Sequence, residues 1–173
     1  MIRYAMQQLL EWKNRSNRKP LIIKGARQVG KTWLMKEFGR QHFKKVAYVT
    51  FYNNKRMARV FEDDYDIDRI IMNINIETKT EVTPGDTLII FDEIQEAPKA
   101  MESLKYFCEN APQYAIIAAG SLLGVAIHKG ISYPVGKVDT IDLYPMSYRE
   151  FLEARGEKQR VAMPDRKDYT LIR

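Results

Sequence analysis

The sequence has little that would support a metal cluster, a disulfide or thiol chemistry. Its 173 residues include one cysteine, Cys108, and two histidines, His42 and His128. A single cysteine cannot form an internal disulfide, and these residues do not cluster at metal-ligand spacing. Structural zinc and thiol catalysis are therefore set aside. We interpret Cys108 as a buried packing residue, because Leu104 and Phe107 precede it in a helical pattern.

Long apolar runs and a secretory leader are also missing. No segment approaches the about 20 consecutive apolar residues that span a bilayer. The N-terminal MIRYAMQQLLEWKNR has neither a long apolar core nor a small-residue cleavage site. We therefore expect a cytoplasmic protein without a membrane span. Hydrophobic residues make up 45% of the chain, which is enough for a core, and the length favours one globular domain over two.

The charge balance favours anionic partners without identifying one. Lysine and arginine number 28 against 22 acidic residues, which gives a net charge of +6. Part of the excess lies in a basic run between the first helical pattern and the first strand: Lys13, Arg15, Arg18 and Lys19. A solvated loop and a nucleic-acid contact both explain this run. The sequence shows neither zinc-finger spacing nor an RRM-type aromatic motif that would favour the second.

One motif constrains the function far more than the composition does. GARQVGKT at positions 25–32 matches G-x-x-x-x-G-K-[ST], between an apolar run and a helical pattern that begins at Trp33. Gly25 and Gly30 would let the backbone turn so that successive N–H groups converge on a phosphate. Lys31 is predicted to bind the β- and γ-phosphates, and the Thr32 hydroxyl to ligate Mg²⁺. The predicted nucleotide contacts are Gly25, Ala26, Arg27, Gln28, Val29, Gly30, Lys31, Thr32 and Trp33.

A pair of acids follows the most apolar strand pattern. Residues 87–91 read TLIIF, without polar alternation, which is typical of a central strand covered on both faces. Asp92 and Glu93 come directly after it. An acid at the carboxyl end of such a strand can reach Mg²⁺ through a water, and a second acid can orient or deprotonate the attacking water. We assign Asp92 to the metal and Glu93 to the water.

Strand and helix patterns alternate along the chain, which predicts an α/β fold with a parallel sheet. The predicted strands are 21–23, 46–51, 87–91, 114–119 and 137–143. The predicted helices are 4–12, 33–39 with Gly39 as the C-cap, much of 53–76, one that starts at Pro98, and one opened by a capping box at 147–150.

The carboxyl ends of parallel strands share one edge of a sheet, so the loop at 25–32, Asp92, Glu93 and Ser121 are expected to meet there. Ser121 directly follows the fourth strand pattern. Its hydroxyl would sense a γ-phosphate or hold the attacking water. A turn or helix-cap role explains it equally well.

These segments together resemble one family. GARQVGKT, LIIFDEIQEAP, AGSLLG and YPVGKVDTIDLYPMSYREFL are similar to blocks of prokaryotic AAA-family P-loop ATPases that carry a C-terminal domain of unknown function. The resemblance covers residues 19 to about 154. It implies a three-layer α/β/α core with strand order 5-1-4-3-2 and Mg-ATP as ligand. Carried over by position, Lys31 and Thr32 match the Walker A pair, Asp92 and Glu93 the Walker B pair, and Ser121 the polar sensor.

The resemblance also implies an ATPase core at residues 1–156, followed by a charged tail at 157–173 that begins a lid or linker. The lid's sensor arginine has no counterpart in the sequence. A finger from a neighbouring subunit can be worth about 10³ to 10⁵ in rate. Lys129, Lys137 and Arg149 lie near its usual place, but surface charge also explains each of them. We expect slow turnover by the isolated chain, and whether it forms a homo-oligomer stays open.

The leading hypothesis is Mg-dependent ATP hydrolysis coupled to an unknown protein or nucleic-acid client. Its predicted catalytic residues are Glu93, Lys31 and Ser121, and its predicted metal ligands are Thr32 and Asp92. A GTPase is disfavoured because no N-K-x-D tetrad is present. A small-molecule kinase is disfavoured because a Glu beside the Asp suits water activation. The alternative is a nucleotide-gated binding or regulatory module with little turnover.

Overall fold

Five parallel strands alternate with helices in the computed structural model, which describes residues 4–121 and 134–144. The strands are β1 Leu21–Lys24, β2 Lys45–Thr50, β3 Thr87–Asp92, β4 Ala115–Gly120 and β5 Asp139–Asp142. The helices are α1 Tyr4–Lys13, α2 Lys31–His42, α3 Lys55–Val60, α4 Ile67–Thr78 and α5 Pro98–Asn110, with a short 3₁₀ helix at Ile94–Glu96. The strand order is β2-β3-β4-β1-β5, which confirms the predicted order 5-1-4-3-2 read from the other edge.

Alternate strand residues point to opposite faces of the sheet, and each face has its own helical layer. On one face, Ile22, Ile89 and Ile116 lie in a buried cluster that includes side chains from α3, α4 and α5. On the other face, Ile23 and Ile90 lie in a cluster that includes side chains from α1 and α2. The fold is therefore the predicted three-layer α/β/α sandwich. Burial on both faces explains why β3 and β4 lack polar alternation.

The segment predicted as mostly helical over 53–76 contains two helices, α3 and α4, and local caps decide where each begins. The Asn54 side chain accepts a hydrogen bond from Met57 N at the start of α3, and the Asp66 side chain accepts one from Arg69 N at the start of α4. Cys108 is half-buried rather than buried, because it lies beside the face of α5 that carries the buried Leu104 and Phe107.

Gly39 is not the C-cap that the sequence suggested. Helix α2 continues to His42, where Phe43 N donates to Gly39 O. A Cβ on Gly39 would lie 2.6 Å from Val46 Cγ2 and 3.2 Å from Leu88 Cδ2. Glycine at this position therefore lets the helix pack closely against β2 and β3. The prediction was wrong because it rested on the local pattern, whereas a contact with the sheet determines the residue.

The carboxyl ends of three neighbouring strands meet at one edge of the sheet, as predicted. Lys24 pairs in register with Gly120, and Asp92 pairs with Ala119. The three strand ends therefore lie side by side, and each is followed by a predicted site element: the loop at 25–32, Glu93 or Ser121. The capping box at 147–150, the tail at 157–173, and Lys129 and Arg149 lie outside the described residues. Within the described parts of the chain, no helix is both long and apolar enough to cross a bilayer.

We expect Gly39→Ala to lower the free energy of unfolding by about 1–3 kcal/mol, because the added methyl group overpacks against Val46. The measurement is urea unfolding followed by circular dichroism. Val46→Ala supplies the control background, since it removes the methyl group of Val46 that the added Cβ would meet. In that background the same change should be neutral or stabilising by up to about 1 kcal/mol, as expected of Gly→Ala in a helix. An equal loss in both backgrounds would contradict the contact.

Candidate functional site

The loop between β1 and α2 has the turns that an anion cradle needs. Gly30 has φ 87°, and Gln28 has φ 63°, a left-handed conformation that is uncommon for a residue with a side chain. Leu34 N donates to Gly30 O, so α2 starts directly from the loop. Val29 is buried in the core against α1 and α2, while Arg27 and Gln28 are exposed. The Val29 side chain thus packs the loop onto the core, while its neighbours Arg27 and Gln28 stay exposed.

Gly25 is needed to avoid a steric clash and not to supply a positive φ. Its φ is not among the positive values, so the chain does not need glycine there for a left-handed turn. A Cβ on Gly25 would instead lie 2.4 Å from Leu143 O and 3.2 Å from Val29 Cγ2. Leu143 N also donates to Lys24 O at 2.7 Å. Glycine is required because the segment after β5 passes directly against the start of the loop.

Lys31 lies inside the loop. It is 5% exposed, and its Nζ donates to Gly25 O at 2.9 Å and to Ala26 O at 2.5 Å. Burial lowers the pKa of the Lys31 ammonium, and the negative charges of Glu93 and Asp92 partly oppose that effect. The two carbonyls fix the ammonium just beyond the carboxyl end of β1, near enough to Asp92 and Glu93 to interact with their charges.

Asp92 joins the loop to the sheet. Its carboxylate is 3% exposed, and Oδ2 accepts from Thr32 Oγ1 at 2.6 Å and from Tyr48 OH at 2.9 Å. Its Oδ1 accepts from Glu93 N at 3.0 Å. The predicted metal pair, Thr32 and Asp92, is therefore in direct contact. Both residues offer oxygen atoms, the donors that Mg²⁺ prefers, so the donor set fits that ion.

Sequence reasoning missed Tyr48, which comes from the neighbouring strand. In the β2–β3 register, Thr50 lies opposite Asp92. Tyr48 is two residues before Thr50, so its side chain lies on the same face of the sheet as that of Thr50. Burial raises the pKa of the Tyr48 phenol, and the charge of Asp92 and the hydrogen bond to it add to the shift. The phenol thus stays a proton donor. Lys36 Nζ lies 3.8 Å from its ring centroid, a cation–π contact that fixes the ring.

Glu93 and Ser121 are also brought together. Glu93 is the first residue after β3, with φ 52°, and its Oε1 accepts from Ser121 Oγ at 3.0 Å. Its Oε2 accepts from Gln95 Nε2 at 2.5 Å. Gln95 was not singled out from the sequence, because its position depends on the 3₁₀ turn after Glu93. The side chain of Trp33, on α2, is 46% exposed and has no part in these hydrogen bonds.

Two residues of the basic run, and Lys137, have partners within the chain. Arg15 forms an ion pair with Asp139 at 3.5 Å, and Lys19 Nζ donates to Gly136 O at 2.9 Å. Lys137 pairs with Glu109 at 3.0 Å, and this partner raises the pKa of Lys137. These contacts favour a structural role for the basic run and a surface ion pair for Lys137.

Comparisons with known proteins identify the family of the chain and similar folds. A family model described as an AAA domain matches residues 17–152, which is most of the chain, so the chain belongs to that family. No curated protein matches the sequence.

Two solved structures have a similar fold. The Walker-type ATPase PABY2304 of Pyrococcus abyssi is 17% identical with a TM-score of 0.56, and the match covers 94% of this chain and 60% of that one. The ORC1 protein of Aeropyrum pernix, solved in complex with DNA, is 15% identical with a TM-score of 0.52, covering 88% and 48%. The chain therefore spans about half to three fifths of the length of these proteins.

We expect Tyr48→Phe to lower the free energy of unfolding by about 1–2 kcal/mol, because the buried Asp92 carboxylate loses one of its donors. The matched control is Tyr52→Phe, since Tyr52 is 65% exposed. That change should stay within about 0.5 kcal/mol of wild type. Urea unfolding of the three proteins measures the difference, and equal stabilities would show that the phenol does not hold Asp92.

Proposed function

We propose that the protein binds Mg-ATP in the loop at residues 25–32 and hydrolyses it to ADP and phosphate. The observation that carries the proposal is the 2.6 Å hydrogen bond from Thr32 Oγ1 to Asp92 Oδ2. It joins two motifs that lie 60 positions apart in the sequence. A phosphate loop alone would suit many nucleotide-binding proteins, whereas a loop bonded to one acid, with a second acid next to it in the chain, suits hydrolysis.

The loop supplies positive charge without a large rearrangement. Two of the three hydrogens of the Lys31 ammonium go to Gly25 O and Ala26 O, and the third would donate to the β- and γ-phosphates. Backbone N–H groups of the loop and of the first turn of α2, among them the N–H of Trp33, would donate to the same phosphate oxygens. The N-terminal end of α2 adds its dipole to this attraction.

Thr32 and Asp92 would hold Mg²⁺, Thr32 through its hydroxyl and Asp92 through a water. When bound, the ion would supply positive charge to the phosphate oxygens. The residues of the chain would hold it in place. Asp92 is held from three directions and cannot swing away, and Thr32 is bonded to it.

Glu93 would accept a proton from the attacking water. The water oxygen then forms a bond to the γ-phosphorus, and the bond from that phosphorus to the β,γ-bridging oxygen breaks with its electron pair leaving on ADP. Ser121 holds Glu93 from one side, and its hydroxyl would also contact the γ-phosphate. Residues 1–156 would form this catalytic core, acting on a protein or nucleic-acid client.

Lys31→Ala should weaken ATP binding by about tenfold or more, because charge-assisted hydrogen bonds to the phosphates are lost. Equilibrium binding of a fluorescent ATP analogue in the presence of Mg²⁺ measures the change. Lys105→Ala, a change of an exposed lysine on α5, is the control and should bind normally. Undiminished binding by Lys31→Ala would overturn the loop assignment.

Glu93→Gln should keep ATP binding and slow phosphate release by about 10²–10⁴-fold, since the amide cannot accept the proton. The measurement is release of labelled phosphate in a single turnover, which isolates chemistry from product release. The control is Glu96→Gln, an exposed glutamate three positions further along the chain. If wild type binds ATP but shows no turnover, the protein is a nucleotide-gated module and the hydrolase proposal fails.

A further inference from the structure

The turn after β3 holds the side chain of residue 95 over Glu93. Glu93 has φ 52° and ψ 44°, a left-handed conformation, and the 3₁₀ helix Ile94–Glu96 starts directly after it. Glu96 N donates to Glu93 O at 3.0 Å, and Ile94 is fully buried in the core. Uncommon backbone conformations of this kind cluster at functional sites. Here the turn is fixed by its own hydrogen bond and by the buried Ile94.

Gln95 uses this turn to bond to the carboxylate of Glu93. Its Nε2 donates to Glu93 Oε2 at 2.5 Å. A hydrogen bond to an ionised carboxylate is stronger than one between neutral groups. A carboxylate only accepts, so the amide must present its nitrogen to Glu93 and turn its oxygen away. That oxygen, Gln95 Oε1, is buried and has no hydrogen-bond partner among the described residues.

The unpaired Oε1 atom shows that packing alone does not explain a glutamine at position 95. A buried acceptor without a donor is destabilising and needs an explanation. An apolar side chain of similar length would fill the same space and leave no unpaired atom. Packing alone therefore favours an apolar residue at position 95, and the bond to Glu93 is what the amide provides.

We propose that Gln95 is a positioning residue that aims Glu93 at the attacking water. Gln95 holds Oε2 and Ser121 holds Oε1, so both carboxylate oxygens are fixed by a single donor each. Each oxygen keeps a second lone pair for the water. This inference rests on the proposed hydrolysis, because Gln95 acts only through Glu93.

The test is Gln95→Met, which keeps an unbranched side chain and removes the amide. We expect the single-turnover rate of ATP hydrolysis to fall by about 10- to 100-fold, with ATP affinity within about twofold of wild type. The thermal midpoint should be unchanged or higher, because the unpaired oxygen is gone. A merely structural glutamine would give the opposite pair of results, lower stability and an unchanged rate per folded molecule.

Gln41→Met is the matched control. Gln41 also donates its Nε2 to a glutamate, Glu37 Oε1 at 2.6 Å, but on the exposed face of α2. Loss of that bond should leave the rate unchanged. Gln95→Leu serves as the second variant if Gln95→Met does not fold, and the same rate loss is expected of it.

The decisive comparison places Gln95→Met in the Glu93→Gln background. A residue that acts only through the Glu93 carboxylate has nothing left to position there. The rate of the double variant should therefore lie within about twofold of the rate of Glu93→Gln alone. The same fold loss in both backgrounds would overturn the inference, as would an unchanged rate in the wild-type background. If wild type shows no hydrolysis, the proposed function fails, and if Glu93→Gln does not slow hydrolysis, the proposed role of Glu93 fails; this inference fails in either case. If Glu93→Gln does slow hydrolysis but Gln95→Met does not, the inference alone is overturned.

Discussion

The buried carboxylate of Asp92 is the constraint on which the site depends. It is 3% exposed, and an unpaired charge at that depth would be destabilising by several kcal/mol. Its donors are Thr32 Oγ1 from α2, Tyr48 OH from β2 and the backbone N–H of Glu93. Each donor comes from a different part of the fold. The charge is therefore tolerated only when α2, β2 and the end of β3 hold their relative positions. The same contacts thus stabilise the fold and set the geometry of the site.

The sequence reveals those parts of the site that depend on neighbouring residues along the chain. The loop at 25–32 and the acids after β3 could be predicted because each needs only a short pattern beside a strand. The sheet order followed from the family resemblance, not from residue patterns. Tyr48 could not be predicted, since its contact with Asp92 depends on the register between β2 and β3. Gln95 was missed for a related reason, because a left-handed residue and a 3₁₀ turn decide where its side chain lies.

Three glycines show how one residue type serves different physical needs. Gly30 has φ 87°, where side chains are strained, and this is the role the motif predicts. Gly25 and Gly39 are needed because another part of the chain lies too close for a Cβ, at Leu143 O and Val46 Cγ2 respectively. Close approach leaves no local signal in the sequence, so the contact of Gly25 with Leu143 could not be predicted, and helix capping explained Gly39 incorrectly. Both contacts hold α2 and its loop against the sheet that carries Asp92.

The two acids differ in ways that fit separate roles. Asp92 belongs to β3 and is paired in register with Thr50 on one side and Ala119 on the other, so the sheet fixes its backbone. A carboxylate offers about four lone-pair sites, and Asp92 already uses three of them. Glu93 is the first residue beyond the strand, is half-buried, and accepts two hydrogen bonds, both from side chains. An ion needs a fixed ligand, whereas proton transfer needs an acceptor with a lone pair to spare and room for water. Geometry alone therefore favours Asp92 for the metal and Glu93 for the water.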